Sequence, residues 1–205
     1  MADEESPGLI LASTSPTRQR LLREAGIEFR AIAAKVDETV VRETLTSDGA
    51  TVDPADMAEI LARAKAEDVS ALYPGDIVIG ADQILACDGE VFTKADTMDA
   101  ARGTLLSLRG RTHQLHSAVV IAINGETEWS LVDTCDMTMR NFSPVFVGRY
   151  LAMAGNDVLG SVGAYQIEGP GIQLFERIEG DFFSILGLPL LPLLRELRAR
   201  DVIQG

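Results

Sequence analysis

Ile77-Val78-Ile79-Gly80-Ala81 is a continuous run without a polar side chain. A strand of this kind is apolar on both faces, so it has to lie inside a sheet that is covered on both sides. Other segments supply the cover. Leu9-Ile10-Leu11-Ala12 reads as a short buried strand that ends in Ser13-Thr14-Ser15-Pro16, with Ser15 as N-cap and Pro16 at the first helical position. The helix that follows places Leu21, Leu22 and Ala25 on one face and stops at Gly26. Ile27 to Val36 reads as extended, and Asp37 to Asp53 as a polar, irregular loop. Asp53-Pro54 opens a second helix with a stripe of Met57, Ile60, Leu61 and Ala64, closed by Tyr73-Pro74-Gly75.

Beyond the central run, Asp88-Gly89 marks a hairpin, and Asp96 caps a helix with Met98, Ala101, Leu105 and Leu108 inward, ending at Gly110. Thr112 to Ile123 is strand-like, and Asn124-Gly125 turns it into an alternating return strand carrying Trp129, Leu131, Cys135, Met137 and Met139 on one face. Ser143-Pro144 starts a helix that stops near Gly155. The glycines between Gly160 and Gly171 predict a loop, Ile172 to Phe183 reads as short strands around Glu179-Gly180, and a helix with Leu190, Leu193, Leu194 and Leu197 runs to Arg200. Interleaved strands and helices give an α/β or α+β class with a mixed sheet, in one domain over residues 8–203.

The net charge is −13. Such a chain repels duplex nucleic acid and anionic membrane, so neither is expected as a partner, whereas a small anion fits if basic residues converge locally. Met1 to Pro7 is too short and acidic for a signal peptide, and no apolar run approaches the roughly 20 residues of a membrane span. Cys87 and Cys135 make no metal-like spacing, which fits a reduced, cytoplasmic setting.

Several residues are candidates for chemistry. Ser13 to Arg18 joins a strand to a helix N-terminus, where free N–H groups favour an anion; ordinary capping explains the same residues. Asp82, at what reads as the end of the buried strand, is either a site carboxylate or a turn cap. Lys65, Lys94 and Glu38 are each surface charges or cleft residues. His113 and His116, three apart in a strand, face opposite ways and do not share a metal.

Taken in order, these segments resemble the Maf family. Leu9 through Arg18 with Leu21-Leu22 is similar to its N-terminal signature, and Val36-Asp37-Glu38 to its acidic segment. Leu61-Ala62-Arg63-Ala64-Lys65-Ala66 is similar to its Leu-Ala-x-x-Lys-Ala helix, and Ile79 to Gln83 with Asp88-Gly89-Glu90 and Lys94 to its central block. Gly110-Arg111-Thr112-His113, Gly163 to Gly169, Ile178 to Asp181 and Gly187-Leu188-Pro189 are similar to the remaining blocks.

The resemblance implies a Maf/Ham1 (ITPase-like) α/β fold, a mixed twisted sheet with flanking helices in two lobes around a cleft. It implies hydrolysis of a nucleoside triphosphate to monophosphate and pyrophosphate. Asp82 would be the proton acceptor, Glu38 and Asp82 would hold Mg²⁺ or Mn²⁺, and Ser13, Ser15, Arg18, Lys65 and Lys94 would serve the phosphates. Thr17, Gln83 and Glu168 stand where the family reads the base. Gln83 and Glu168 match the branch acting on 7-methyl-GTP, while Gly163-Ala164-Tyr165 resembles the dTTP/UTP branch. Thr17, Ala95 and Gly160-Ser161 depart from the usual pattern. A homodimer is compatible with the sequence. Two other readings are a nucleotidyltransferase, whose phosphate loop is normally glycine-rich, unlike Ser13 to Arg18, and a non-catalytic nucleotide-binding regulator, which would have lost Asp82, Lys65 or Lys94.

Overall fold

In the computed structural model, which describes residues 7–46 and 52–204, the apolar run is the first half of a longer central strand. The order is β1 (Leu9–Leu11), α1 (Pro16–Glu24), β2 (Arg30–Ala31), α2 (Glu38–Thr46), α3 (Pro54–Ser70), β3 (Ile77–Cys87), β4 (Glu90–Phe92), α4 (Met98–Leu108), β5 (Thr112–Ile123), β6 (Glu126–Met139), α5 (Pro144–Ala154), β7 (Phe175–Glu179), α6 (Phe182–Ile185) and α7 (Leu190–Ala199). Two short 3-10 turns, Gly155–Gly160 and Pro170–Leu174, lie between α5 and β7. The strands form one mixed sheet in the order β2-β1-β3-β5-β6-β7, with β4 on the far end of β3. β1 runs parallel to β2 and β3; the remaining pairs are antiparallel.

Layers on both faces explain the apolar run. On one face Ile79 and Ala81 pack with Leu21, Leu22, Leu193 and Leu197 from α1 and α7, and Trp129 borders that layer. On the other face Met57, Leu61, Ala62 and Ala66 of α3 meet Ile84, Ala118 and Val120. A second lobe gathers α4 and α5 on the later half of β3 and its neighbours, through Leu85, Leu105, Leu108, Leu115, Met137 and Tyr150. α3 lies unusually close to β3: a Cβ on Gly80 would fall 2.2 Å from the Ala62 carbonyl oxygen. Small residues at 62 and 66 and none at 80 are what permit that approach.

Several local expectations need correction. Residues 38–46 of the supposed loop are α2, because Asp37 Oδ1 accepts from Thr39 and Val40 N–H and Val41 and Leu45 pack on the α3 layer. The remainder of that loop, 47–51, and the N-terminal stretch 1–6 lie outside the described residues. The extended segment 27–36 contributes only the two residues of β2. Thr97 caps α4 in place of Asp96, its hydroxyl accepting from Ala100 N–H. Ala25 is exposed beyond the end of α1, and Ile60 faces outward while Ala58, Ala62 and Ala66 are buried. Both hairpins form as expected, with Asp88-Gly89 and Asn124-Gly125 all at positive φ. β7 covers β6 only from Asp136 to Met139, so the stretch from Glu126 onward is an open edge among the described residues. No helix of the described residues is long and apolar enough to cross a membrane.

Candidate active site

The site exists because β1 is short and β3 is long. β1 pairs with β3 as far as Leu11↔Ile79, and Ala12 N–H adds one more bond to the Ile79 carbonyl. β4 takes up the same edge of β3 only from Leu85 onward. Between them the edge has no strand neighbour, and a cleft of about 1220 Å³ wraps around it. Asp82 is therefore not at the end of its strand, as expected from the sequence; it lies mid-strand, paired with Ala118 on the other side. The ligand crevice nevertheless opens where the neighbouring strand stops, the usual position in open α/β sheets. Asp82 and Gln83 point to opposite faces, and both reach the cleft because it bends around the edge between those faces.

Arg18 takes the place of the missing strand. Its Nη1 donates to the Ala81 carbonyl at 2.8 Å and its Nε to the Gly187 carbonyl at 2.8 Å. Nη1 also lies 3.4 Å from Ser13 Oγ. Burial pushes the Arg18 pKa down, against the charges of Asp82 and Glu38, which raise it. The guanidinium is thus a fixed, charged wall of the cleft. Ser15 Oγ caps α1 by accepting from Arg18 N–H, and the buried Ser13 Oγ accepts from Ser15 N–H at 3.2 Å. Both hydroxyls keep an O–H to donate, beside the positive end of α1, where Pro16 has no N–H and Ser15 Oγ takes that of Arg18.

The charged centre is Lys65. The close seating of α3 on Gly80 sets this side chain over Asp82, two residues further along the same face of β3. Lys65 Nζ lies 2.5 Å from Asp82 Oδ1 and 2.6 Å from Glu38 Oε1. Glu38, at the start of α2, also pairs with Arg42 at 3.5 Å. Burial pushes the Glu38 carboxyl up, but the Lys65 hydrogen bond and the charges of Lys65, Arg42 and Lys94 outweigh it and hold the pKa below the ordinary value. Lys94, just after β4, lines the same cleft. Arg42 was not foreseen, because its segment read as loop; its signal is the Glu38–Arg42 spacing of four that pairs charges on a helix.

Two features concern what the cleft can recognise. Gln83 Nε2 donates to Ser117 Oγ at 2.9 Å and to the Ser184 and Ile185 carbonyls at 3.1 and 3.0 Å. Ser117 Oγ itself donates to the Ser184 carbonyl, so all three partners are acceptors and the amide is fixed with Oε1 on the other side. Oε1 lies on the Gly187 side. Glu168, on the glycine-rich loop, pairs with Arg20 at 3.0 Å and has about a quarter of its side chain exposed. That loop is anchored by Tyr165, whose hydroxyl lies 2.7 Å from Nε2 of the fully buried His113. His116 faces away and meets Thr134, so the two histidines share nothing.

All ten residues singled out from the sequence, Ser13, Ser15, Thr17, Arg18, Glu38, Lys65, Asp82, Gln83, Lys94 and Glu168, line this one cleft. The donor set suits a hard divalent cation. Among the described residues Asp82 Oδ2 is buried without a partner, and Glu38 supplies a second carboxylate within reach of the same ammonium. Among the described residues no third acid, histidine or cysteine joins them. Mg²⁺ is commonly bound this way, by one or two carboxylates and the oxygens of a phosphorylated ligand.

Residues 8–200 match the family described as Maf-like protein. A 7-methyl-GTP pyrophosphatase of Brucella suis is 55% identical over 197 residues, 96% of this chain and 98% of that one. A 7-methyl-GTP pyrophosphatase of Mesorhizobium japonicum is 52% identical over the same shares. A nucleoside triphosphate pyrophosphatase of Granulibacter bethesdensis is 50% identical over 95% of this chain and 98% of its own.

Proposed function

The chain belongs to the Maf family, and on that footing we propose that it hydrolyses a nucleoside triphosphate between the α- and β-phosphates, releasing a nucleoside monophosphate and pyrophosphate. It is a hydrolase of acid anhydrides that clears a non-canonical nucleotide, with 7-methyl-GTP as the preferred substrate. The observation that carries this is the convergence of Glu38 and Asp82 with Arg18, Arg42, Lys65 and Lys94 in a single cleft. Phosphoryl transfer needs little covalent help from protein; it needs positioning and neutralisation of charge. The acidic surface and buried free thiols support a cytoplasmic enzyme that binds neither nucleic acid nor membrane, monomeric or as a homodimer.

Mg²⁺ or Mn²⁺ held by Glu38 and Asp82 would neutralise phosphate charge and make water a better nucleophile. The side chains divide the remaining work. Asp82 accepts the proton of the attacking water through a carboxylate oxygen. Lys65 and Lys94 grip phosphate oxygens, and the Ser13 and Ser15 hydroxyls with the α1 N-terminus hold the distal phosphates. Gln83 presents its amide oxygen, and Glu168 its carboxylate, to the base. Two acceptors suit the N–H edge of guanine, and the carboxylate suits the positive charge of a methylated ring. Relatives named for 7-methyl-GTP support the same preference.

The test is release of pyrophosphate from canonical and modified triphosphates, with and without Mg²⁺ or Mn²⁺, run on the wild type and on Asp82→Asn. The wild type should turn over 7-methyl-GTP best and only with metal. The variant should keep its circular dichroism spectrum and lose roughly a hundredfold or more in rate. Release of orthophosphate, or of nothing, would refute the activity; wild-type rates in the variant would remove Asp82 from it. Highest turnover of dTTP or UTP would move the enzyme to the other branch.

A further inference from the structure

The seat between the two carboxylates is already taken by a cation of the chain itself. Lys65 Nζ touches Asp82 Oδ1 at 2.5 Å and Glu38 Oε1 at 2.6 Å, with only 13% of its side chain exposed. Two carboxylates this close repel each other unless a positive charge stands between them, and at low exposure that charge is weakly screened. An ammonium satisfies them. A divalent cation entering the same place would meet the ammonium as a like charge. Meanwhile Asp82 Oδ2 stays buried with no partner among the described residues, so the carboxylate keeps a ligand atom that Lys65 does not use.

Resting on the metal-dependent reading above, we propose that Lys65 is the resident counter-ion of the metal seat and couples cation loading to nucleotide binding. Without nucleotide it holds Glu38 and Asp82 together and lowers their affinity for a free divalent ion. A triphosphate offers the ammonium competing oxygens and brings further ligands for the metal, so the pair is released to the ion as substrate arrives. The small donor set agrees with this. Glu38 and Asp82 form no three-acid group with any neighbour among the described residues, and two carboxylates leave most of an octahedral shell to phosphate and water. Lys65 can leave its seat by rotating a flexible stem, whereas Arg18 is tied to two carbonyls and cannot do the same.

The experiment measures Mn²⁺ binding by the electron-spin signal of the free ion, on the full chain. It is run alone and with a triphosphate carrying a methylene between the α- and β-phosphorus, corrected for metal held by free analogue. The wild type should bind Mn²⁺ weakly alone and roughly tenfold or more tighter with the analogue, the size of an ordinary coupling. Lys65→Gln should bind Mn²⁺ alone roughly tenfold tighter than the wild type and gain little from the analogue. Lys65→Arg, which keeps a cation in the seat, should stay within about threefold of the wild type. Arg63→Gln removes an exposed charge of the same helix, paired with Glu59 and outside the cleft lining, and it should also shift Mn²⁺ affinity by less than about threefold. The proposal is overturned if Lys65→Gln binds Mn²⁺ alone no tighter than the wild type, or if Arg63→Gln tightens it equally. Should Lys65→Gln fail to fold, the wild type still decides, because equal Mn²⁺ affinity with and without analogue overturns the coupling. Metal-dependent pyrophosphate release with no such coupling leaves the activity standing and removes only this inference; no Mn²⁺ binding under either condition, with no turnover, removes both.

Discussion

His113 shows how one buried side chain outside the cleft lining can carry a pH dependence of its own. Burial pushes its pKa down to about 4 from 6.5, and its Nδ1 has no partner among the described residues. The unfolded chain therefore takes up a proton at a pH where the folded chain does not. Stability from this group is fully present above about pH 6.5 and is lost as pH falls toward 4, by roughly 3 kcal/mol. Unfolding free energies extrapolated from urea titrations at pH 7 and pH 4 should differ by that much more in the wild type than in His113→Gln; equal differences would mean that the imidazole takes up its proton in the folded protein as readily as in the unfolded chain. At this scale the sequence was informative about which residues meet and less so about what each one does there. Asp82 and Lys65 were visible as unusual charges beside apolar runs. The commitment of Arg18 to two carbonyls was not, because it depends on β1 stopping before it can offer a backbone N–H to the Ala81 carbonyl. Thr97 and Asp96 are both good caps, and only the phase of the helix chooses between them.

The contact between α3 and β3 decides where Lys65 stands. A Cβ at Gly80 would fall 2.2 Å from the Ala62 carbonyl oxygen and 2.7 Å from Ala66 Cβ, atoms that cannot rotate away. Gly80→Ala should force the helix outward, cost about 1–3 kcal/mol or more, and lower kcat/KM beyond what the lost stability explains. Gly103 in α4 has nothing within 4 Å of its added Cβ, so Gly103→Ala should be neutral or stabilising by up to about 1 kcal/mol. Urea unfolding with a rate assay on both variants checks this; intact activity in Gly80→Ala would mean that the approach of α3 does not set the site. Elements with a strong pattern were legible. The apolar run, the alternating β6, Asn124-Gly125 and the Ser-Pro and Asp-Pro helix starts all formed where the residues indicated. α2 was not legible: Thr39, Val40, Val41 and Thr44 are β-branched and weak helix formers, and the helix depends on Asp37 and on packing against α3. The polar pair Asp82-Gln83 likewise disguised the second half of β3, which is a strand because β5 pairs with it as far as Ala86.

At the scale of the whole molecule, one sheet serves two lobes, and the cleft between them is what the mismatch in strand length leaves open. The family match and the seating of ten separate residues around that gap agree, although those residues come from segments as distant as Ser13 and Glu168. The far side of the same sheet has its own consequence. From Glu126 to Cys135 β6 has no outer strand partner among the described residues, which leaves N–H and C=O groups as a template on which a second molecule could add its own strand. Exposed Glu126 and Glu128 sit at that margin, on a chain already at −13, so two such margins repel on approach. Replacing both by glutamine should leave the urea midpoint nearly unchanged while light scattering grows with protein concentration; scattering that stays at the wild-type level would show that something other than charge keeps these molecules apart. The acidity read from the sequence as a bar to nucleic acid would then be a guard against self-templated stacking, placed on a stretch of β6 that no strand closes among the described residues.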